Sequence, residues 1–129
     1  GKFIASKVVK LMKSRDIHIK GADVLILGIT FKENCPDIRN TKIIDVYNEL
    51  ISFGAKVDVF DSVANKEEVN KELQIDLIMD YTIKKYSAII LAVAHASFKS
   101  IDFKEFRNDK TVVFDVKSFI PTDSVDGRL

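Results

Sequence analysis

Two short, unbroken runs of branched aliphatic residues, Asp23-Val-Leu-Ile-Leu-Gly28 and Ser87 to Val93, constrain the fold of this chain more than any other feature. A strand half exposed to water alternates apolar with polar side chains, whereas a strand covered on both faces reads as a continuous apolar run. Both runs are therefore expected as interior strands of a sheet. Between and around them the apolar period changes to that of helices. Ile4, Val8, Leu11 and Met12 recur at helical spacing from Lys2 to Ser14, with lysines at 2, 7, 10 and 13 filling most of the opposite side. Ile44, Tyr47 and Ile51 do the same after Asn40 or Thr41, either of which can cap a helix that Gly54 stops. Lys56 to Phe60 predicts a second strand, Lys66 to Leu73 a charged surface helix, and Ile75 to Met79 a weaker apolar run. A short helix is expected around Asp102 to Arg107 and a last strand over Thr111 to Val116. Alternation of this kind predicts an α/β fold: a doubly wound parallel sheet of five or six strands, with helices on both faces.

With 129 residues, the chain has room for one core and not for two. Twenty basic against nineteen acidic residues leave a formal charge of +1, so a phosphate group could be attracted only by a local cluster, and nucleic acid is not indicated. No apolar stretch is long enough for a bilayer. The single cysteine, Cys35, and the lack of a signal-peptide pattern point to a reducing cytoplasm. The opening helix begins almost at residue 1 with no linker or cap, as in a chain cut from a longer protein.

Ligands of doubly wound sheets sit beyond the carboxyl ends of the strands. This rule selects Gly28 to Arg39, Asp61, Ala94 to Phe98 and Asp115 to Ser118. A dinucleotide site at the first turn would need three glycines, and only Gly28 is present; Asp61, which could imitate a ribose-binding acid, lies 33 positions after it rather than about 20. Lys32, Arg39 and Lys117 could converge on one rim, where they would suit a diphosphate or stand as solvated surface charges. Cys35 has no neighbouring base in sequence and reads as a loop or partly buried thiol. His95 could donate to a ligand or be a packed histidine, and His18 carries less signal still. Two histidines and one cysteine offer no metal-ligand spacing.

The segment Gly28-Ile-Thr-Phe-Lys-Glu-Asn-Cys-Pro-Asp-Ile-Arg-Asn-Thr-Lys closely resembles the loop that opens the C-terminal domain of the UDP-glucose/GDP-mannose dehydrogenase family: a Gly, a Phe-Lys pair, then Asp-x-Arg before a capping Ser or Thr. Gly54 to Asp61, Ala92-Val-Ala-His-Ala-Ser-Phe98 and Val113-Phe-Asp-Val-Lys117 resemble later pieces of that domain in the same order, and the wording is most similar to bacterial UDP-N-acetylhexosamine 6-dehydrogenases of capsule and surface polysaccharide synthesis. The resemblance implies a Rossmann-like single domain, with residues 1–20 the end of an interdomain connecting helix and its link, and residues 21–129 the nucleotide-sugar-binding domain. It implies that Phe31 and Lys32 meet the UDP-sugar and that Arg39 reaches toward NAD held by another domain. Lys117 stands where UDP-glucose dehydrogenases carry an arginine near the substrate. It further implies a homodimeric parent that oxidises a sugar C6 alcohol to a carboxylate with NAD through a cysteine upstream of this chain; Cys35 does not match that cysteine, and the chain alone is expected to be inactive. A receiver-like regulatory domain or an assembly module would share the sheet, but a receiver needs an acidic pair at the end of the first strand, where Gly28 stands.

Overall fold

The computed structural model describes residues 1–129, the side chain of Thr122 excepted. Eleven segments of regular structure follow one another: α1 (Lys2–Ser14), β1 (Asp23–Leu27), α2 (Ile43–Ser52), β2 (Lys56–Phe60), α3 (Lys66–Leu73), β3 (Tyr86–Leu91), 3-10 turns at Ala96–Phe98 and Phe103–Glu105, β4 (Arg107–Asp115), a third 3-10 turn at Thr122–Ser124, and β5 (Gly127–Arg128). The five strands form one sheet in the order β2-β1-β3-β4-β5, and every neighbouring pair is parallel. The two aliphatic runs thus lie side by side as β1 and β3, with Val24 to Leu27 and Ala88 to Leu91 fully buried.

Strand alternation sends their side chains to two separate cores. Val24, Ile26, Ala88 and Ile90 face a core that α1 closes with Ala5, Val8 and Met12, α2 with Ile43, Val46 and Leu50, and α3 with Val69. Leu25, Leu27, Ile89 and Leu91 face the other, which is aromatic: Tyr86, Phe98, Phe103 and Phe106 are buried there, with Phe60 and Tyr81 packed against them. All three α-helices lie on the first side, so the expected helical cover of the second face is supplied instead by two short 3-10 turns and irregular chain. Large rings fill that layer with few residues, which makes α-helices there unnecessary.

Two further expectations, a helix around Asp102 to Arg107 and the cap of α2, need correction. The helix expected around Asp102 to Arg107 is a single 3-10 turn, started by the Asp102 side chain accepting the Lys104 amide. Arg107 already belongs to β4, which pairs with Tyr86, bulges through residues 108–110 and resumes at Val112 opposite Ala88. The cap of α2 is Lys42 rather than Asn40 or Thr41, although the Thr41 hydroxyl oxygen accepts the Ile43 amide at 3.3 Å. The weaker run Ile75 to Met79 is no sheet strand, yet it runs beside the β2 edge: the Ile78 amide donates to the Val59 carbonyl, Ile75 and Leu77 turn to the helical core, and Ile78 turns to the aromatic one. This covers an edge that would otherwise expose unpaired backbone groups.

Candidate functional site

The carboxyl ends of β1 and β3 are adjacent, and the chain leaving each one forms a wall of a small cleft. Thr30, Phe31, Asn40, Thr41, Lys42, Ile43, Ala92, Val93 and Lys117 line it, around about 140 Å³ of space. Phe31 is 56% exposed despite its large apolar ring. Lys42 caps α2 and Ile43 begins it, so the positive end of a ten-residue helix opens on the same cleft as Lys117. A flat apolar ring beside two lysines and a helix N-terminus can stack a base or sugar and meet a phosphate.

Phe31 and Lys117 are therefore brought together, from opposite ends of the sequence. Lys32 follows Phe31 and is exposed, outside the lining of this cleft. Arg39 lies in the neighbouring groove, an open space of about 820 Å³ between the loop and α3, with Cys35, Asn65, Glu68 and Glu72. There the guanidinium makes a two-pronged pair with Asp37 at 2.9 and 3.0 Å, which holds the Asp37 carboxyl down at a pKa of about 2. Asn40 lines both spaces and joins them. Sequence reasoning missed Lys42; its only sequence mark is its place next to a capping threonine, one step before a helix that starts at the ligand edge.

The loop is shaped from beneath by Asp61. This carboxylate is buried, and each oxygen accepts from the chain around it: Oδ2 takes the amides of Ile29 (2.7 Å) and Thr30 (3.3 Å) and Nε2 of His95 (2.9 Å), while Oδ1 takes those of Val63 (2.8 Å) and Ala64 (2.9 Å). Burial alone pushes the Asp61 carboxyl up, but the bonds from His95 and the amides of Ile29, Ala64 and Val63 outweigh it and hold the group below the ordinary aspartate range. Asp61 is thus an internal organiser and does not present itself to a ribose. His95 is fully buried with both ring nitrogens engaged, so it is the packed histidine of the two readings.

The same bonds bear on NAD. In a dinucleotide site the amides after the first strand cradle the pyrophosphate. Here the amides of Ile29 and Thr30 already donate to Asp61, and α2 starts only at Ile43. Gly28 serves packing, since an added Cβ would lie 2.6 Å from that of Val93. The turn after β1 therefore does not form the pyrophosphate cradle of a dinucleotide site. Among the described residues, no group of three His, Cys, Asp or Glu side chains could hold a metal, and no helix is long and apolar enough to cross a membrane.

Comparison with known proteins agrees with this geometry. The chain is 44% identical over 132 residues to UDP-N-acetyl-D-glucosamine 6-dehydrogenase of Salmonella typhi, covering 100% of this chain and 31% of that protein. It is 39% identical over 127 residues to Protein CapL of Staphylococcus aureus, covering 97% of this chain and 30% of the other. It thus spans under a third of the length of these relatives. Among solved structures, the NDP-N-acetyl-D-galactosaminuronic acid dehydrogenase of Methanosarcina mazei Go1 shares the fold, with a TM-score of 0.80 at 18% identity over 98% of this chain and 29% of that one. Residues 25–122 match the family described as "UDP-glucose/GDP-mannose dehydrogenase family, UDP binding domain", and with a span that runs from within β1 through the Phe31 loop to the Lys117 edge, the chain belongs to that family.

Proposed function

We propose that this chain binds the UDP part of a UDP-sugar in the cleft between Phe31 and Lys117, as the nucleotide-sugar domain of an NAD-dependent UDP-sugar 6-dehydrogenase. The observation that carries the reading is the meeting of an exposed aromatic ring, Lys117, Lys42 and the α2 N-terminus at the carboxyl edge of the sheet. Phe31 offers a stacking face, the lysines oppose the diphosphate charge, and Lys32 lies on the exposed side of the same loop. Residues 1–20 are then the end of a helix joining this domain, residues 21–129, to the others. Arg39, in the groove beside the cleft, would face NAD carried by another domain of a homodimeric parent in the cytoplasm. The similarity to UDP-N-acetyl-D-glucosamine 6-dehydrogenases favours an N-acetylhexosamine as the sugar and a polysaccharide precursor as the product.

A cleft of about 140 Å³ can hold a phosphate-sized group but not a whole nucleotide, since complete small-molecule sites run to roughly 300–1,000 Å³. Most of the ligand stays hydrated, and binding near 1 mM, about 4 kcal/mol, is expected. Titration with UDP followed by amide chemical shifts tests this. Shifts should gather at residues 28–32, 41–43 and 117 and weaken with added salt and in Lys32→Ala. Shifts confined to another face, or none at high UDP, would reject the reading.

A further inference from the structure

Beneath the proposed nucleotide cleft lies a buried polar cluster whose groups all bond the Phe31 loop. Asn34 has a left-handed backbone (φ +58) and is held from two directions: its amide donates to Nδ1 of His95 at 2.9 Å, and its side-chain oxygen accepts the Ala96 amide at 2.9 Å. Nδ1 accepts a backbone proton and so carries none of its own. Nε2 faces the Asp61 carboxylate at 2.9 Å and the Thr30 hydroxyl oxygen at 3.2 Å, and that hydroxyl gives its own proton to the Lys32 carbonyl. Every partner on this side presents lone pairs, so Nε2 bears the proton. A single tautomer satisfies the whole cluster. Among the described residues Asp61 is the only ionisable partner of the ring, and Phe98 packs beside it at 5.5 Å between ring centres.

We infer that His95, locked by Asp61 in its Nε2–H form, is a positioning residue for nucleotide binding: through Nδ1 it fixes Asn34, the far end of the short segment that presents Phe31 and Lys32, whose near end, Thr30, is held by its own amide on Asp61. The inference rests on the reading that this segment meets the nucleotide. The Phe31 amide, donating to the Asp37 carbonyl at 2.7 Å, closes the loop above but does not set its height over the sheet. That is left to the Asp61 bonds at Ile29 and Thr30 and, at the Asn34 end, to the Ala96 amide and the His95 ring, which reaches from the end of β3 to the loop after β1.

The two ring nitrogens can be tested apart, because the Oδ1 of an asparagine stands in for Nδ1 and the Nε2 of a glutamine for the ring Nε2. His95→Asn keeps an acceptor for Asn34 and should bind UDP within about threefold of the unaltered chain; His95→Gln keeps a donor for Asp61, leaves the Asn34 amide unmet and should bind about tenfold more weakly. Imidazole nitrogen shifts of the unaltered chain should show a protonated Nε2 and a bare Nδ1. Equal affinities in the two variants, equal losses in both, or a protonated Nδ1 would overturn the inference and leave the nucleotide reading standing. No UDP-dependent shifts in the unaltered chain would remove the nucleotide reading, and this one with it.

Discussion

Asp61 shows how one buried charge can replace a covalent brace. Four amides and an imidazole donate to it, so removing its charge leaves donors unmet in a place water does not reach. Asp61→Asn should destabilise the chain by about 2–3 kcal/mol at neutral pH, since the new amide turns hydrogens toward existing donors. The pH dependence has a definite sign. The folded state holds this carboxyl below its ordinary value of 3.8, so its contribution is complete above that value and is lost as the pH falls through the lower folded value. Urea denaturation of both proteins should therefore give a gap that is wide at pH 7 and narrows below pH 4. A gap independent of pH would show that packing, and not charge, is what Asp61 provides.

Among the elements, the β1 turn is the most constrained. Gly28 has φ +102, and an added Cβ would fall 2.6 Å from Val93 Cβ and 2.9 Å from its amide nitrogen, so strain and overlap act together. Gly28→Ala is expected to cost about 2–4 kcal/mol, whereas Gly21→Ala, at φ +78 with nothing within 4 Å, should cost about 1 kcal/mol; denaturation midpoints compare them directly. How far elements could be read from sequence follows the same physics. Strands β1 and β3 were legible because burial on both faces leaves an aliphatic run, and α1 because its apolar stripe is unbroken. The two-residue β5 has no pattern to read; Gly127 is held there by Leu11 and Phe114, which an added Cβ would meet at 2.8 and 2.9 Å. In the site, Lys117 could be picked out because strand ends predict the ligand edge, whereas Phe31 is marked only through the resemblance of its loop. The Asp61–His95 bond joins residues 34 apart, and no local spacing announces it.

At the scale of the whole molecule, the two sheet faces divide the work. The helical layer brings the start of α2 to the cleft, and the aromatic layer anchors Phe98 beside His95 and so backs the loop. On the proposed reading this arrangement prepares one side of a binding cleft. The amides that would cradle a pyrophosphate after β1 are taken by Asp61. Cys35 lies partly buried in the groove that also holds Arg39, and a thiol attacking a carbonyl needs a base within reach. His95 cannot serve, because both of its nitrogens are committed, and His18 lines a groove with Ser87 and Asn108 near the start of β3. The chain mixed with NAD and UDP-N-acetylglucosamine should therefore produce no NADH, even at ligand concentrations where UDP-dependent amide shifts are complete. Absorbance at the NADH band provides the measurement, and Cys35→Ser should leave the UDP shifts unchanged, since its groove adjoins the cleft without lining it. Turnover proportional to the amount of chain, abolished in Cys35→Ser, would mean that the groove beside Arg39 is a reaction site and that this domain does more than hold the nucleotide.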